Sequence, residues 1–130
     1  MRRPLAYLGG LLLIIWGISH IIPTNNVIKG FGPISADNVH IIAMEWINEG
    51  FTLIFLGLLS IAVTLINDNK SKVSKLVYIL TFIMLLAMSV LSLFTGFRVD
   101  FLPFKLCPII FMISALLIVQ GAFSGREKTN

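Results

Sequence analysis

The chain has 130 residues, 57% hydrophobic and 12% charged, with a formal net charge of +4. A soluble domain carries about a quarter charged residues, so together with a mean hydropathy of +0.95 this composition excludes an ordinary soluble enzyme or binding module. The 10 lysines and arginines are scattered among short segments and form no stripe, which excludes a nucleic-acid groove.

Four stretches are nearly free of charge: residues 5–22, 38–66, 73–96 and 104–123. Crossing a hydrocarbon core of about 30 Å takes about 20 helical residues, and each stretch is long enough. Period-two alternation is absent, and in lipid only helices and closed barrels satisfy the backbone. The expected fold is therefore all-α, an integral membrane four-helix bundle that forms one domain over residues 1–130.

The first span follows Arg2-Arg3 and holds Gly17-Ile18-Ser19, features that a cleaved signal peptide also has. Its apolar run continues through Ile21-Ile22 and includes Trp16 and His20, so it reads as a retained helix. Gly10, Ile14 and Gly17 share one face, where a neighbouring backbone can approach closely. Pro23-Thr24-Asn25-Asn26 ends the span, and residues 23–37 read as a long connection. Long loops are often functional. Apolar Val27, Ile28, Phe31 and Ile34 make this one a lid that packs down on the bundle.

Ser35 or Asp37 can cap the second span, and Asn67-Asp68-Asn69-Lys70 marks its far end. Counting about 20 residues back from Ile66 places the opposite membrane boundary near Ile47. Glu49 then lies just inside that boundary and Glu45 just outside it. Asn38, Glu45, Glu49 and Thr52 are separated by 7, 4 and 3 residues and fall on one helical face, flanked by Asn48. A polar stripe cannot favour lipid and should turn inward. Gly50, Gly57 and Thr64 repeat every seven residues as a second close-packing stripe, one on which a homo-oligomer can form.

In the third span, Ser89, Ser92 and Gly96 form a small-residue face, and Arg98-Val99-Asp100 lies beyond its end. The fourth starts near Phe104, with Pro108 in or just after the first turn, where proline is tolerated, and ends near Gly125. Cys107 is the single cysteine; it can form no internal disulfide, supports no metal cluster alone, and reads as a small apolar residue.

Arg2, Arg3, Lys70, Lys72, Lys75, Arg126 and Lys128 fall on one side of this arrangement, and Lys29, Arg98 and Lys105 on the other. The excess of positive charge places both termini in the cytoplasm. A bacterial-type plasma membrane is the simplest location.

His20, Glu45, Glu49, Arg98 and Lys105 come out at one depth, with Asp37, Asn38 and His40 just above. Three readings follow. In the first, Glu45 or Glu49 pairs with Arg98 or Lys105, His20 bonds to the other carboxylate, and the network only fixes helix order. Trp46 is then an interface anchor. In the second, Glu45, Glu49 and His20, with Arg98, His40 and Asn38 nearby, surround the polar head of a lipophilic molecule such as a quinone, sterol or lipid. Trp46, Phe31, Phe51 and Phe55 touch its apolar part. A carboxylate beside a histidine can also move protons, although the weight of this reading is on binding rather than catalysis. In the third, Glu49 is a proton or ion relay, with Ser89, Ser92, Ser114 and Gln120 as the groups deeper in. His20 and His40 come from different elements without ligand spacing, so no metal site and no cofactor is assigned.

The order Gly17-Ile18-Ser19-His20, a phenylalanine-containing loop, and Glu49-Gly50-Phe51-Thr52-Leu53-Ile54-Phe55-Leu56-Gly57 resembles the DoxX-like small membrane proteins over the first half of the chain. The resemblance implies a four-helix bundle of similar size. It implies no single activity, since some members are linked to quinone-coupled sulfur oxidation or redox homeostasis. Phe31-Gly32-Pro33-Ile34-Ser35-Ala36-Asp37-Asn38 followed by Met44-Glu45-Trp46 departs from the broader family pattern, and one cysteine gives no support for thiol redox chemistry.

Overall fold

A computed structural model describes residues 3–66 and 71–123. Among these residues there are five α-helices and no strand: α1 (Arg3–Ile21), α2 (Thr24–Gly30), α3 (Ala36–Ile66), α4 (Lys72–Phe94) and α5 (Leu102–Val119). Short 3-10 turns at Gly96–Arg98 and Gln120–Phe123 follow α4 and α5. Four helical stretches, the three long helices α1, α3 and α5 and the run from Lys72 to Arg98, are long and apolar enough to cross a membrane. Their outward faces are apolar too: Leu76, Ile79, Leu80 and Ile83 of α4 are all exposed. A helix at a water-facing surface would carry polar residues there.

The expected four helices are joined by a fifth, α2, inside the segment read as irregular. Pro23 starts it, its carbonyl accepting from the N–H groups of Asn26 and Val27. Buried Val27 anchors it, and Gly32 at φ 72° ends the turn that follows. Ser35 rather than Asp37 caps α3, its hydroxyl accepting from the Asn38 N–H at 3.2 Å. Helix α5 begins at Leu102, earlier than expected, so Pro108 lies in the helix interior. Proline there cannot donate to the Phe104 carbonyl. Its own carbonyl accepts a 2.8 Å bond from Ser89, which ties α4 to α5.

Packing of α1 on α3 is the most extensive in the bundle, followed by α4 on α5 and α1 on α5, whereas α3 and α4 touch little. The two glycine stripes explain the first pair. A Cβ on Gly17 would lie 2.7 Å from the Gly50 carbonyl oxygen, and one on Gly57 would lie 2.5 Å from that of Gly10. The backbones are in contact, as only residues without side chains allow. The Gly50/Gly57 face on which an oligomer was expected is therefore covered by α1 of the same chain.

The core runs down the bundle axis through Leu13, Leu53, Leu56, Leu85, Phe111, Ala115 and Ile118. At the end nearest the chain termini, Tyr78 and Thr64 join α4 to α3 at 2.8 Å. The Thr64 hydroxyl already donates to the Ser60 carbonyl, so Tyr78 donates to Thr64. Tyr78→Phe is expected to cost about 1 kcal/mol, the usual net worth of one hydrogen bond. Thermal unfolding of the purified pair by circular dichroism checks this, and an unchanged midpoint would remove the bond from the account of how α3 and α4 are held. Arg3, Lys72 and Lys75 lie at this same end; Arg2, Lys70, Arg126 and Lys128 lie outside the described residues, as do Asn67-Asp68-Asn69 and Gly125.

Candidate functional site

At the opposite end of the bundle α1 terminates, and its last carbonyls need partners. Ile18 accepts from the Ile22 N–H at 3.2 Å, Ile21 accepts from the Thr24 hydroxyl at 2.5 Å, and His20 accepts from the Trp46 indole N–H at 2.6 Å. Trp46 thus caps α1 from α3. The same indole stacks on the His20 ring, with centroids 3.8 Å apart and planes 16° from parallel, and meets the edge of Phe104 at 5.1 Å. His20 is 4% exposed and Trp46 7%. Trp46 is buried and faces the bundle interior, which corrects the interface-anchor expectation.

This fixed imidazole faces Glu49, with Nε2 and Oε2 3.4 Å apart. The pair meets the distance limit of an ion pair, yet Nε2 forms no hydrogen bond within the described residues, so the contact is loose in both length and direction. The Glu49 side chain is one-third exposed while that of His20 is buried. Cys107, buried on α5, completes the group: one donor atom each from His20, Glu49 and Cys107 lie within 4.8 Å of one another.

These side chains form one wall of a cavity of about 630 Å³ between α3 and α4. From α3 it is lined by Ile41, Ile42, Glu45, Trp46, Asn48, Glu49 and Thr52; from α4 by Met84, Met88, Leu91 and Ser92. Thr95, Gly96 and Val99 from the turn after α4, Phe104 and Cys107 from α5, and Val27 and Phe31 from α2 and the residue after it complete the lining. Phe31, Ile41, Met84, Leu91 and Val99 are all about half exposed, so the rim is apolar.

Of the residues singled out from sequence, His20, Glu45, Trp46 and Glu49 meet at this cavity, and Asn48, Thr52 and Phe31 join them. Asn38, His40 and Arg98 are exposed and do not line it. The expected pairing of a carboxylate with Arg98 or Lys105 is replaced by a different arrangement. Lys105 binds Asp100 at 3.0 Å on the surface, and among the described residues neither glutamate pairs with a lysine or arginine; Glu49 faces His20. Phe51 and Phe55 are exposed away from the cavity, and Phe104 takes the aromatic role expected of them.

Cys107 was read from sequence as packing alone. The depth of its position, two residues after Lys105, was a signal that placed it level with Glu49. Comparison of the chain with models of known protein families, with curated proteins and with solved structures finds no match.

Proposed function

We propose that this chain is a membrane-embedded binding protein for a lipophilic molecule with a polar head, of the quinone, sterol or lipid class. The cavity carries the reading. At about 630 Å³ it falls in the range of about 300–1,000 Å³ of small-molecule sites, which combine apolar walls with a few polar groups. The methionines, Leu91 and Phe104 supply the walls, and His20, Glu49 and Glu45 supply the polar groups. An apolar rim between two helices that touch little supports entry sideways from the hydrocarbon.

The charge distribution supports an orientation with both termini cytoplasmic and the cavity at the outer leaflet. Relationship to the DoxX-like proteins belongs to the same proposal and rests on the residues quoted for it. A purely structural network would leave the carboxylates paired and no space beside them; the cavity and the exposed Glu45 weigh against that. A relay through Glu49 would need polar groups continuing inward. Leu53, Leu85 and Phe111, fully buried one turn or more below the site, weigh against it.

The test is native mass spectrometry of protein extracted gently from its own membrane. The wild type is expected to carry a lipophilic adduct, and Glu49→Gln to lose most of it while keeping its helicity and unfolding temperature. A folded wild type without adduct, or an adduct undiminished in Glu49→Gln, would overturn the proposal.

A further inference from the structure

We propose that His20, Glu49 and Cys107 form a site for a divalent transition-metal ion of the zinc type, at the wall of the cavity where α1, α3 and α5 meet. The three donors are an imidazole nitrogen, a carboxylate oxygen and a thiol sulfur, all within 4.8 Å of one another. Tetrahedral zinc, with bonds of about 2.0–2.3 Å, holds neighbouring ligand atoms about 3.4–3.6 Å apart. The His20–Glu49 separation is already 3.4 Å. A charge-assisted hydrogen bond would be about 2.7–2.9 Å, so the observed spacing suits two ligands of one ion better than a bonded pair.

A second observation points to a ligand independently. Nε2 of His20 belongs to a ring that is 4% exposed, and it has no hydrogen-bond partner among the described residues. A buried polar atom left without a partner is uncommon and calls for an explanation such as an ion. The ring cannot turn away to find another partner, because Trp46 stacks on its face and Phe104 braces Trp46. Ligands with an orienting outer shell are usual in metal sites.

The charges balance. Binding of the ion displaces the thiol proton, which leaves as a hydrated proton through the cavity. The thiolate and the carboxylate then offset the two positive charges of the ion, and His20 binds as the neutral ring. Imidazole with thiolate selects zinc, cobalt or copper over magnesium or calcium. All three ligands line the cavity, so the fourth position opens into it, available to water or to the head-group oxygen of a bound molecule. The site does not rest on the lipophilic-ligand proposal, because the donors converge whether or not the cavity is filled.

The experiment is titration of the full-length, chelator-stripped protein with Co²⁺ in mild detergent, followed by absorption spectroscopy. Tetrahedral d–d bands and a thiolate-to-cobalt charge-transfer band are expected, saturating at one equivalent and bleached by Zn²⁺. Cys107→Ser, which changes one atom and keeps the fold, is expected to lose the charge-transfer band and to bind at least about tenfold more weakly, since even outer-shell changes cost about 10–100-fold. A folded wild type without these bands, or bands unchanged in Cys107→Ser, would overturn the site. Cobalt bands in protein that carries no lipophilic adduct sink the pocket reading alone; an adduct without cobalt bands sinks the metal site alone.

Discussion

Gly57→Leu is expected to abolish recovery of folded protein. Even a single Cβ at this position would lie 2.5 Å from the Gly10 carbonyl oxygen and 2.8 Å from the Ile14 side chain. The first obstacle is backbone, which cannot rotate aside. Overpacking in cores costs about 1–3 kcal/mol where side chains can adjust; here two helices must separate along their length, and the loss should exceed that range. Marginal stabilities of about 5–15 kcal/mol leave little reserve. Gly57→Ala places only that Cβ against the Gly10 carbonyl oxygen and should lower the midpoint as well, by less than Gly57→Leu. Gly30→Ala is the control, because a Cβ there meets nothing within 4 Å. Monodispersity on size-exclusion chromatography and the thermal midpoint read the series. A monodisperse Gly57→Leu protein with a wild-type midpoint would mean that the α1–α3 contact is wrong.

Trp46→Ala carries the second large effect, expected at about 3–5 kcal/mol, as for other buried aromatic truncations. Three losses combine. A cavity opens beside Phe104, the His20 ring loses the surface that fixes it, and the His20 carbonyl loses its donor. A buried carbonyl left without a donor adds its own cost. Trp46→Phe separates the parts in degree, since it retains a ring for stacking but removes the N–H and part of the indole volume, for a cost between about 1 kcal/mol and that of Trp46→Ala. Equal destabilisation by the two variants would show that the hydrogen bond, not the packing, carries the stability. The same variants report on the site: Trp46→Phe should retain the lipophilic adduct, and Trp46→Ala should lose it together with the His20 orientation.

How far the sequence reveals this molecule depends on the interaction. The spans are legible because charge is excluded from hydrocarbon, so their limits follow from where lysine and aspartate stop. The inward face of α3 is legible too, since Glu45 and Glu49 follow helical spacing and have no place against lipid. The seven-residue α2 is not. Its sequence is polar and ends in glycine, and it is helical because Val27 finds a buried place and Pro23 accepts two backbone bonds. Neither fact is local to the segment.

The partners of Glu49 were hidden for a related reason. Hydropathy places residues at a depth but does not say which helix stands beside which. Cys107 meets His20 only because α5 packs on α1, and Lys105 leaves the glutamates because Asp100, five residues before it, is nearer. Along one apolar span, Phe51 and Phe104 are alike until the neighbours are known.

The packing of α1 against both α3 and α5 also makes it the helix on which the site is assembled. The two spans whose glycines interlock are neighbours in the sequence, so they can pair as a helical hairpin without α4 or α5. That hairpin already holds His20, Trp46 and Glu49 in register. Helix α5 lies beside α1, although α4 separates it from α3 in the sequence. Cys107 comes from α5, so the three-residue group needs that helix docked on α1. A chain stopped after α3 would hold two of the three donors, His20 and Glu49, and none of the cavity wall that α4 and α5 supply.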